Sequence, residues 1–282
     1  MKASVGVRAM TVADIPYGMR LKGEAGWNQI DADWRRFLAL GYDGCFVAER
    51  MGQVIGSVTS CCFGTVGWVA MLLVDKAHRG HGTGRGLLIK SLEHLESAGA
   101  RSIRLDATAE GRPLYESLGF RVDFSLHRYR GILSNTSSDD RPRPGYLLDL
   151  GQIASLDQAV TGTDRRILIN KLLEDNPGDS LVTSKTGGPI DGFVFWRPGS
   201  SAAQIGPCIA ERESGRALLV EVGRVLAGQT AIVDIPTDHH ECIVWAEGHG
   251  LRPSREFWRM TRGETVAEDV TRLWASSGPE MG

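Results

Sequence analysis

The sequence predicts a mixed α/β fold, a mixed sheet with helices, present as two tandem copies. Two observations predict it. The first is a strand, glycine turn and helix in succession. An apolar run at 68–74 leads into His78-Arg79-Gly80-His81-Gly82-Thr83-Gly84-Arg85-Gly86-Leu87-Leu88, after which apolar residues recur at helical spacing. The second is an internal repeat. Gly84-Arg85-Gly86-Leu87-Leu88 matches Gly215-Arg216-Ala217-Leu218-Leu219 at an offset of 131 residues. Glu116-Ser117-Leu118-Gly119-Phe120-Arg121 matches Glu247-Gly248-His249-Gly250-Leu251-Arg252 at the same offset, and Tyr129-Arg130-Gly131 meets Thr261-Arg262-Gly263 at 132.

The elements follow in order. A strand is expected near 4–10, helices near 12–22 and 31–40, and strands near 44–50, 53–63 and 66–75. The next helix, near 82–98, places Leu87, Leu88, Leu92 and Leu95 on one face, and Gly99 can end it. A strand near 101–107 precedes a short helix near 112–118, with Pro113 in its first turn and Gly119 just past its end. Strands near 119–123 and 125–130 close the first copy. The polar stretch from Gly131 to Gly145 is rich in Ser, Asp and Pro and reads as a linker. The expected division is therefore 1–131, a linker at 132–145, and a second copy at 146–282, with Ala231–Pro236 as its counterpart of the strand at Ser102–Asp106.

Length and composition agree. The 282 residues fit about two domains of roughly 150. No apolar run approaches the roughly 18 residues that span a membrane, and MKASVGVRAM has no signal-peptide core. The five cysteines (Cys45, Cys61, Cys62, Cys208, Cys242) form no CxxC and read as reduced thiols of a cytoplasmic protein. A net charge of −2 gives no reason to expect nucleic acid as a partner, and no membrane partner is expected. Residues 1–131 carry +4 and residues 132–282 carry −6. The basic half suits a polyanionic ligand; the acidic half suits a cationic substrate, or simply a soluble surface. His78 with His81, and His239 with His240, have no third ligand placed beside them, so no metal is expected.

The glycine turn has a chemical logic of its own. Small residues let the backbone approach an anion, and the first free N–H groups of a helix point at it. The spacing Arg79-x-x-Gly82-x-Gly84 is neither a Rossmann fingerprint nor a P-loop. Joined to Leu114-Tyr115-Glu116-Ser117-Leu118-Gly119-Phe120 downstream, it resembles the GNAT acetyltransferase superfamily over roughly residues 4–131. The stretch from Leu105 to Tyr115, and Gly26-Trp27-Asn28-Gln29 with Asp33-Trp34-Arg35-Arg36, resemble a tandem subgroup with an intact first domain and a diverged second one.

The resemblance implies acetyl-coenzyme A as acyl donor, coenzyme A as product, and a primary amine, expected to be that of a small molecule, as acceptor, attacking directly in a ternary complex. It implies that Tyr115 protonates the departing thiolate. Leu72, Leu73 and Val74 would pair with the pantetheine arm. Arg79, Gly80, His81, Gly82, Thr83 and Gly84 would cradle the pyrophosphate, with Arg85 and Thr108 beside them. Trp27, Asn28, Gln29 and Trp68 would face the acceptor; the equal alternative is that Trp27 and Trp34 anchor helix packing and Asn28 caps the second helix. Trp68 stands where some members carry a catalytic glutamate, and Thr108 where many carry asparagine. The base is then Glu24, Asp33, Glu49 or Asp106 through water, or none. Two other readings stay open: an acyl-coenzyme A sensor without catalysis, and a protein or peptide N-acetyltransferase. Oligomeric state is not legible.

Carried by the 131 offset, Arg79 meets Ala210, Gly80 and Gly82 meet Glu211 and Glu213, and Tyr115 meets Ala246. A carboxylate in a pyrophosphate cradle repels it by about 1 kcal/mol or more. The second copy is therefore expected neither to bind coenzyme A nor to catalyse transfer; it either walls the acceptor pocket or stabilises the first domain.

Overall fold

A computed structural model describes residues 4–41, 43–135, 142–185 and 188–282; positions 136–141 of the expected linker lie outside the described residues. The first copy runs β1 (Gly6–Ala9), a 3-10 turn, α1 (Ile15–Glu24), α2 (Asp31–Leu40), β2 (Phe46–Arg50), β3 (Gln53–Phe63), β4 (Val66–Val74), α3 (Thr83–Ser97), β5 (Ser102–Ala107), α4 (Arg112–Glu116) and β6 (Arg121–Ile132). The second runs β7 (Arg143–Pro144), a 3-10 turn, α5 (Leu150–Thr161), α6 (Arg166–Asp175), β8 (Ser180–Ser184), β9 (Ile190–Arg197), β10 (Ala203–Ala210), α7 (Arg212–Val225), β11 (Thr230–Pro236), α8 (His240–Gly248) and β12 (Arg252–Gly263). A short β13 (Leu273–Ala275) follows.

The order of elements repeats, as the sequence predicts. So does a local device at the start of each copy. Arg8 grips Asp14 with two hydrogen bonds of 2.8 Å, and Asp14 accepts from the Thr11 N–H. Arg143 grips Asp149 at 2.8 and 2.7 Å, and Asp149 accepts from the Tyr146 N–H. Each carboxylate thus satisfies an otherwise orphaned amide where a helix begins. Each is held below the usual carboxylate range, chiefly by its arginine.

The strands form one sheet in the order β1-β2-β3-β4-β5-β12-β6-β11-β10-β9-β8-β7, with β13 added against β10. The two copies trade their last strands. β12 pairs antiparallel with β5 from Trp258↔Ala107 to Gly263↔Ser102, and β6 pairs antiparallel with β11 from Thr230↔Ile132 to Pro236↔Leu126. Between them β6 and β12 pair with each other, and Leu126 faces Phe257, its own repeat mate 131 residues on. A pseudo-two-fold axis therefore passes close to that pair.

Buried charge locks both exchanges in the same way. Arg259 on β12 donates to both carboxylate oxygens of Asp106 on β5, at 2.7 and 3.0 Å. Its repeat mate Arg128 on β6 donates to both oxygens of Asp234 on β11, at 2.7 and 2.8 Å. Arg259 is also bonded to Glu268, which accepts from Arg104 of β5 at 2.7 Å. Such bidentate pairs are strong and geometrically specific.

On one face of the sheet, α3 sets Leu87, Leu88, Leu92 and Leu95 against Phe46, Val58, Val69 and Met260, the last from the other copy's strand. The helix α7 buries Leu218, Leu219 and Val222 in the corresponding place. On the opposite face α1, α2, α5 and α6 share one core, which joins Trp34 and Phe37 to Ile153, Leu168 and Leu172. The segment expected as two strands, 119–123 and 125–130, is the single strand β6. Its pairing with β12 bulges at Asp123, whose carboxylate accepts from Arg104 and the Thr261 hydroxyl at 3.1 and 2.6 Å.

Candidate active site

The site begins where two parallel strands part. β4 and β5 pair only from Val66↔Ser102 to Trp68↔Arg104. The β3–β4 ladder is bulged between Ser57 and Thr59, and Met71 takes a left-handed φ of 51°, fixed by the Ser57 hydroxyl donating to its carbonyl at 3.0 Å. A non-glycine residue there costs about 1–2 kcal/mol. The strain sits where β4 turns away, and it leaves the backbone edge at Leu72, Leu73 and Val74 along a cleft.

The cleft opens into a cavity of about 790 Å³. At its mouth Gly80 and Gly82 have φ of 76° and 82°, and a Cβ at either would meet no atom within 4 Å. The turn is thus shaped by glycine conformation and faces open space. Gly82 caps α3, and the first intrahelical bond runs from the Gly86 N–H to the Gly82 carbonyl at 2.9 Å. The amides of Thr83, Gly84 and Arg85 have no partner within the helix, and all three residues line the cavity. Arg79 donates to the Val74 carbonyl at 3.0 Å and to the exposed Glu110 at 2.8 Å. Such an exposed pair contributes little and can be traded for a phosphate. Arg85 donates to the Ser117 hydroxyl at 3.0 Å. A free helix N-terminus, open glycines and two arginines beside a parted strand pair fit a nucleotide thioester.

Tyr115, on α4, lines the cavity. Its ring lies edge-on to Phe120, 5.9 Å between centroids, and a Cβ at Gly111 would approach it to 3.0 Å. Its hydroxyl makes no hydrogen bond to protein among the described residues, and burial pushes its pKa up to about 12. The group keeps its proton at neutral pH and can give it up inside the cavity. Thr108 lines the same stretch, and its hydroxyl accepts from the Gly111 N–H at 3.3 Å.

Most residues expected at the site meet here: Trp27, Gln29, Leu72, Leu73, Val74, Arg79, Gly80, Gly82, Thr83, Gly84, Arg85, Thr108 and Tyr115 all line the cavity. Three do not. His81 is exposed outside the lining. Asn28 is buried and spends its side chain on the second copy. It donates to the Ala202 carbonyl at 3.0 Å and accepts from the Ser201 and Ala202 amides at 3.0 and 3.1 Å. Trp68 is buried beneath Arg259, 4.9 Å from ring to guanidinium, and donates to the Pro279 carbonyl at 3.3 Å. These two residues support the wall from behind.

Of the four carboxylates weighed as a base, Asp33 caps α2 and pairs with Arg36 at 2.8 Å, and Glu49 pairs with Arg8 at 2.8 Å; neither lines the cavity. Asp106 and Glu24 do. Asp106 is held by Arg259, and burial raises its pKa despite that partner.

The second copy supplies the far wall through Arg255, Glu256, Phe257, Trp258, Pro279 and Glu280, and Arg128 of β6 joins them. Arg128 belongs to the first copy by sequence but lies between β12 and β11. Glu280 accepts from Gln29 at 2.9 Å and pairs with Arg197. Walling the acceptor pocket is one of the two roles the sequence leaves open for the second copy, but none of the second copy's residues is singled out there as a site residue. The repeat offset identified β12 as equivalent to β6, and that equivalence is the one available signal.

The equivalent cleft of the second copy is filled by the chain itself. β10 and β11 pair only from Ala203↔Ala231 to Ile205↔Val233, and β13 then pairs with β10 at Cys208↔Ala275 and Ile209↔Leu273. Trp274 donates to the Ala210 carbonyl at 3.1 Å, and a Cβ at Gly215, the repeat mate of Gly84, would lie 2.0 Å from its ring. The expected obstacle at this position is charge and missing glycine; the structure adds an occupied slot.

Among the described residues no group of three His, Cys, Asp or Glu could hold a metal ion, and no helix is long and apolar enough to cross a membrane. Two acetyltransferase (GNAT) domain models match, one over residues 41–122 and one over 153–275, together more than half of the chain. An uncharacterized N-acetyltransferase, YitH, of Bacillus subtilis is 27% identical over 238 residues, covering 80% of this chain and 81% of that protein. A putative acetyltransferase from Pyrococcus horikoshii superposes with a TM-score of 0.85 at 18% identity, over 99% of this chain and 96% of that one. A tandem GNAT protein from the clavulanic acid biosynthesis pathway superposes with a TM-score of 0.66 at 11% identity, over 94% and 100%. Two family matches in sequence order, on a sheet that repeats its own topology, place the chain in the GNAT acetyltransferase family as a tandem GNAT acyltransferase.

Proposed function

We propose that the chain transfers an acetyl group from acetyl-coenzyme A to a primary amine of a small molecule, by direct attack in a ternary complex. One observation carries the reading. One cavity is lined by the first residues of α3, by Tyr115, and by Trp27, Gln29, Phe257, Pro279 and Glu280. Donor, acid and acceptor positions thus share one cavity with walls from both copies, and from this we infer a small acceptor.

Acetyl-coenzyme A supplies a thioester carbonyl that a neutral amine can attack. The amides of 83–85 with Arg79 and Arg85 bind the pyrophosphate, and the β4 edge at 72–74 orients the arm. Tyr115 holds a proton at Oη for the departing sulfur. Glu24 lines the cavity and its side chain is 37% exposed, so it is the best placed of the weighed carboxylates to take the amine's proton through water. His81, Asn28 and Trp68 have no contact role in this scheme.

The test is a thiol-release screen over simple amines, amino acids, aminoglycosides and polyamines, with mass detection of the acetylated product. Release coupled to one acetylated amine supports the reading. Tight coenzyme A binding with no release across the panel would replace it with the sensor reading.

A further inference from the structure

The exposed Arg255 lines the cavity without an ion-pair partner among the described residues. Arg255 lies on β12 directly across from Arg128 on β6, so the two guanidinium groups share a face of the sheet. Like charges directly opposed on paired strands destabilise a sheet. The charge of Arg128 is met by the buried Asp234. That of Arg255 is not: among the described residues no carboxylate lies within ion-pair distance of it. The other charged groups at this end are committed. Asp106 pairs with Arg259, Glu280 with Arg197, and Glu24 with Arg20 at 2.6 Å. Glu256 lies 3.8 Å from His127.

The internal symmetry sharpens the contrast. The repeat mate of Arg255 is Phe124, which packs 5.3 Å from the guanidinium of Arg259. Arg128 has its own aromatic neighbour in Phe257, 5.1 Å away, so the position equivalent to Phe124 is left to Arg255, which lines the cavity. Desolvation and the neighbouring Arg128 lower the pKa of the Arg255 guanidinium, with Asp234 opposing them.

We propose that the acceptor carries an oxyanion group, a carboxylate or a phosphate, in addition to its amine, and that Arg255 is the residue that binds it. The inference rests on the small-amine reading above and names its substrate class. A planar guanidinium with free donors suits both kinds of oxyanion. An oxyanion at this position relieves the opposed arginines, and it turns the acceptor so that its amine faces the donor.

The experiment compares matched pairs. In the carboxylate arm, β-alanine and 4-aminobutyrate are set against their primary amides. In the phosphate arm, phosphoethanolamine and 3-aminopropyl phosphate are set against ethanolamine and 3-aminopropanol. Thiol release gives kcat/KM, and calorimetry on the coenzyme A-loaded protein gives affinity without turnover. We expect at least one anionic member to exceed its neutral mate by about tenfold or more, mainly through KM. Arg255→Gln should abolish that ratio, and Arg255→Lys should restore part of it. The arm that responds identifies the oxyanion. Equal or better performance of every neutral mate overturns the proposal, as does a preference that survives Arg255→Gln. If no amine is acetylated, the transferase reading fails, and the calorimetric ratio still decides for or against the anion site.

Discussion

Arg259→Met tests whether the buried lock on the exchanged strand holds the two copies together. Arg259 is 1% exposed, and its partner Asp106 has a side-chain exposure of 2%. In the variant, Glu268 keeps Arg104, but Asp106 loses both of its charge-assisted bonds. A lone carboxylate at this depth takes up a proton rather than remain charged. Protonating it at pH 7, about three units above the unfolded aspartate value, costs ~4 kcal/mol. That magnitude falls within the roughly 3–5 kcal/mol expected for breaking a buried pair. The sign of the pH dependence follows. In the variant the folded pKa of Asp106 lies above the unfolded one, so stability is greatest at low pH and is lost as pH rises through the folded value. Losing Arg259 raises the Asp106 pKa beyond its already raised parent value, so the deficit against the parent protein should be smaller at pH 5 than at pH 7. Urea unfolding at the two pH values measures it, with Arg259→Met/Asp106→Leu as the control that removes the orphaned acid and recovers most of the loss. A deficit equal at both pH values, or a double variant no more stable than the single, refutes the reasoning.

Tyr115→Phe should lower kcat by about tenfold to a hundredfold in the thiol-release assay and change coenzyme A affinity less than twofold. Because that hydroxyl sits at about 12, the parent enzyme should show no loss of kcat from tyrosine ionisation between pH 7 and 10; a falling limb that disappears in the phenylalanine variant would exclude this assignment. Gly82→Glu puts a side chain at a φ of 82° and a carboxylate in the cradle, so calorimetry should show coenzyme A binding weakened by about tenfold or more; retained affinity removes the cradle from the scheme. Trp274→Ala empties the second slot and should cost about 3–5 kcal/mol of stability, with coenzyme A still binding once per chain; a second binding event would show that the plug alone, rather than the lost glycines, closes that copy.

Much of the architecture was legible in the sequence. The strand expected at 53–63 is β3, and the helix expected near 82–98 is α3, because apolar spacing and glycine placement act locally. The donor half of the site was legible for the same reason: turn, cap and tyrosine lie within one short stretch of chain. The acceptor half was not. Period-two alternation marks β6 and β12 as strands but does not say which edge each will join. A strand from either copy satisfies β5 equally well as far as pattern goes. Asn28 looked like a contact for substrate because it follows Trp27; its partners at 201 and 202 become neighbours only after the fold closes. Trp274 lies beyond the last aligned strand, so no repeat position drew attention to it.

The crossed strands make one chain out of what is geometrically a swapped dimer. Two single-copy chains exchanging their last strands would build the same sheet about a true two-fold axis. Tethering converts that association into an intramolecular event, so assembly no longer depends on protein concentration. It also frees the halves from identity. In a homodimer any change to the turn at 79–84 would appear twice, and both active sites would suffer. In the fused chain one half can surrender its slot to Trp274 and still deliver β12, Glu268 and the segment around Glu280 to its neighbour.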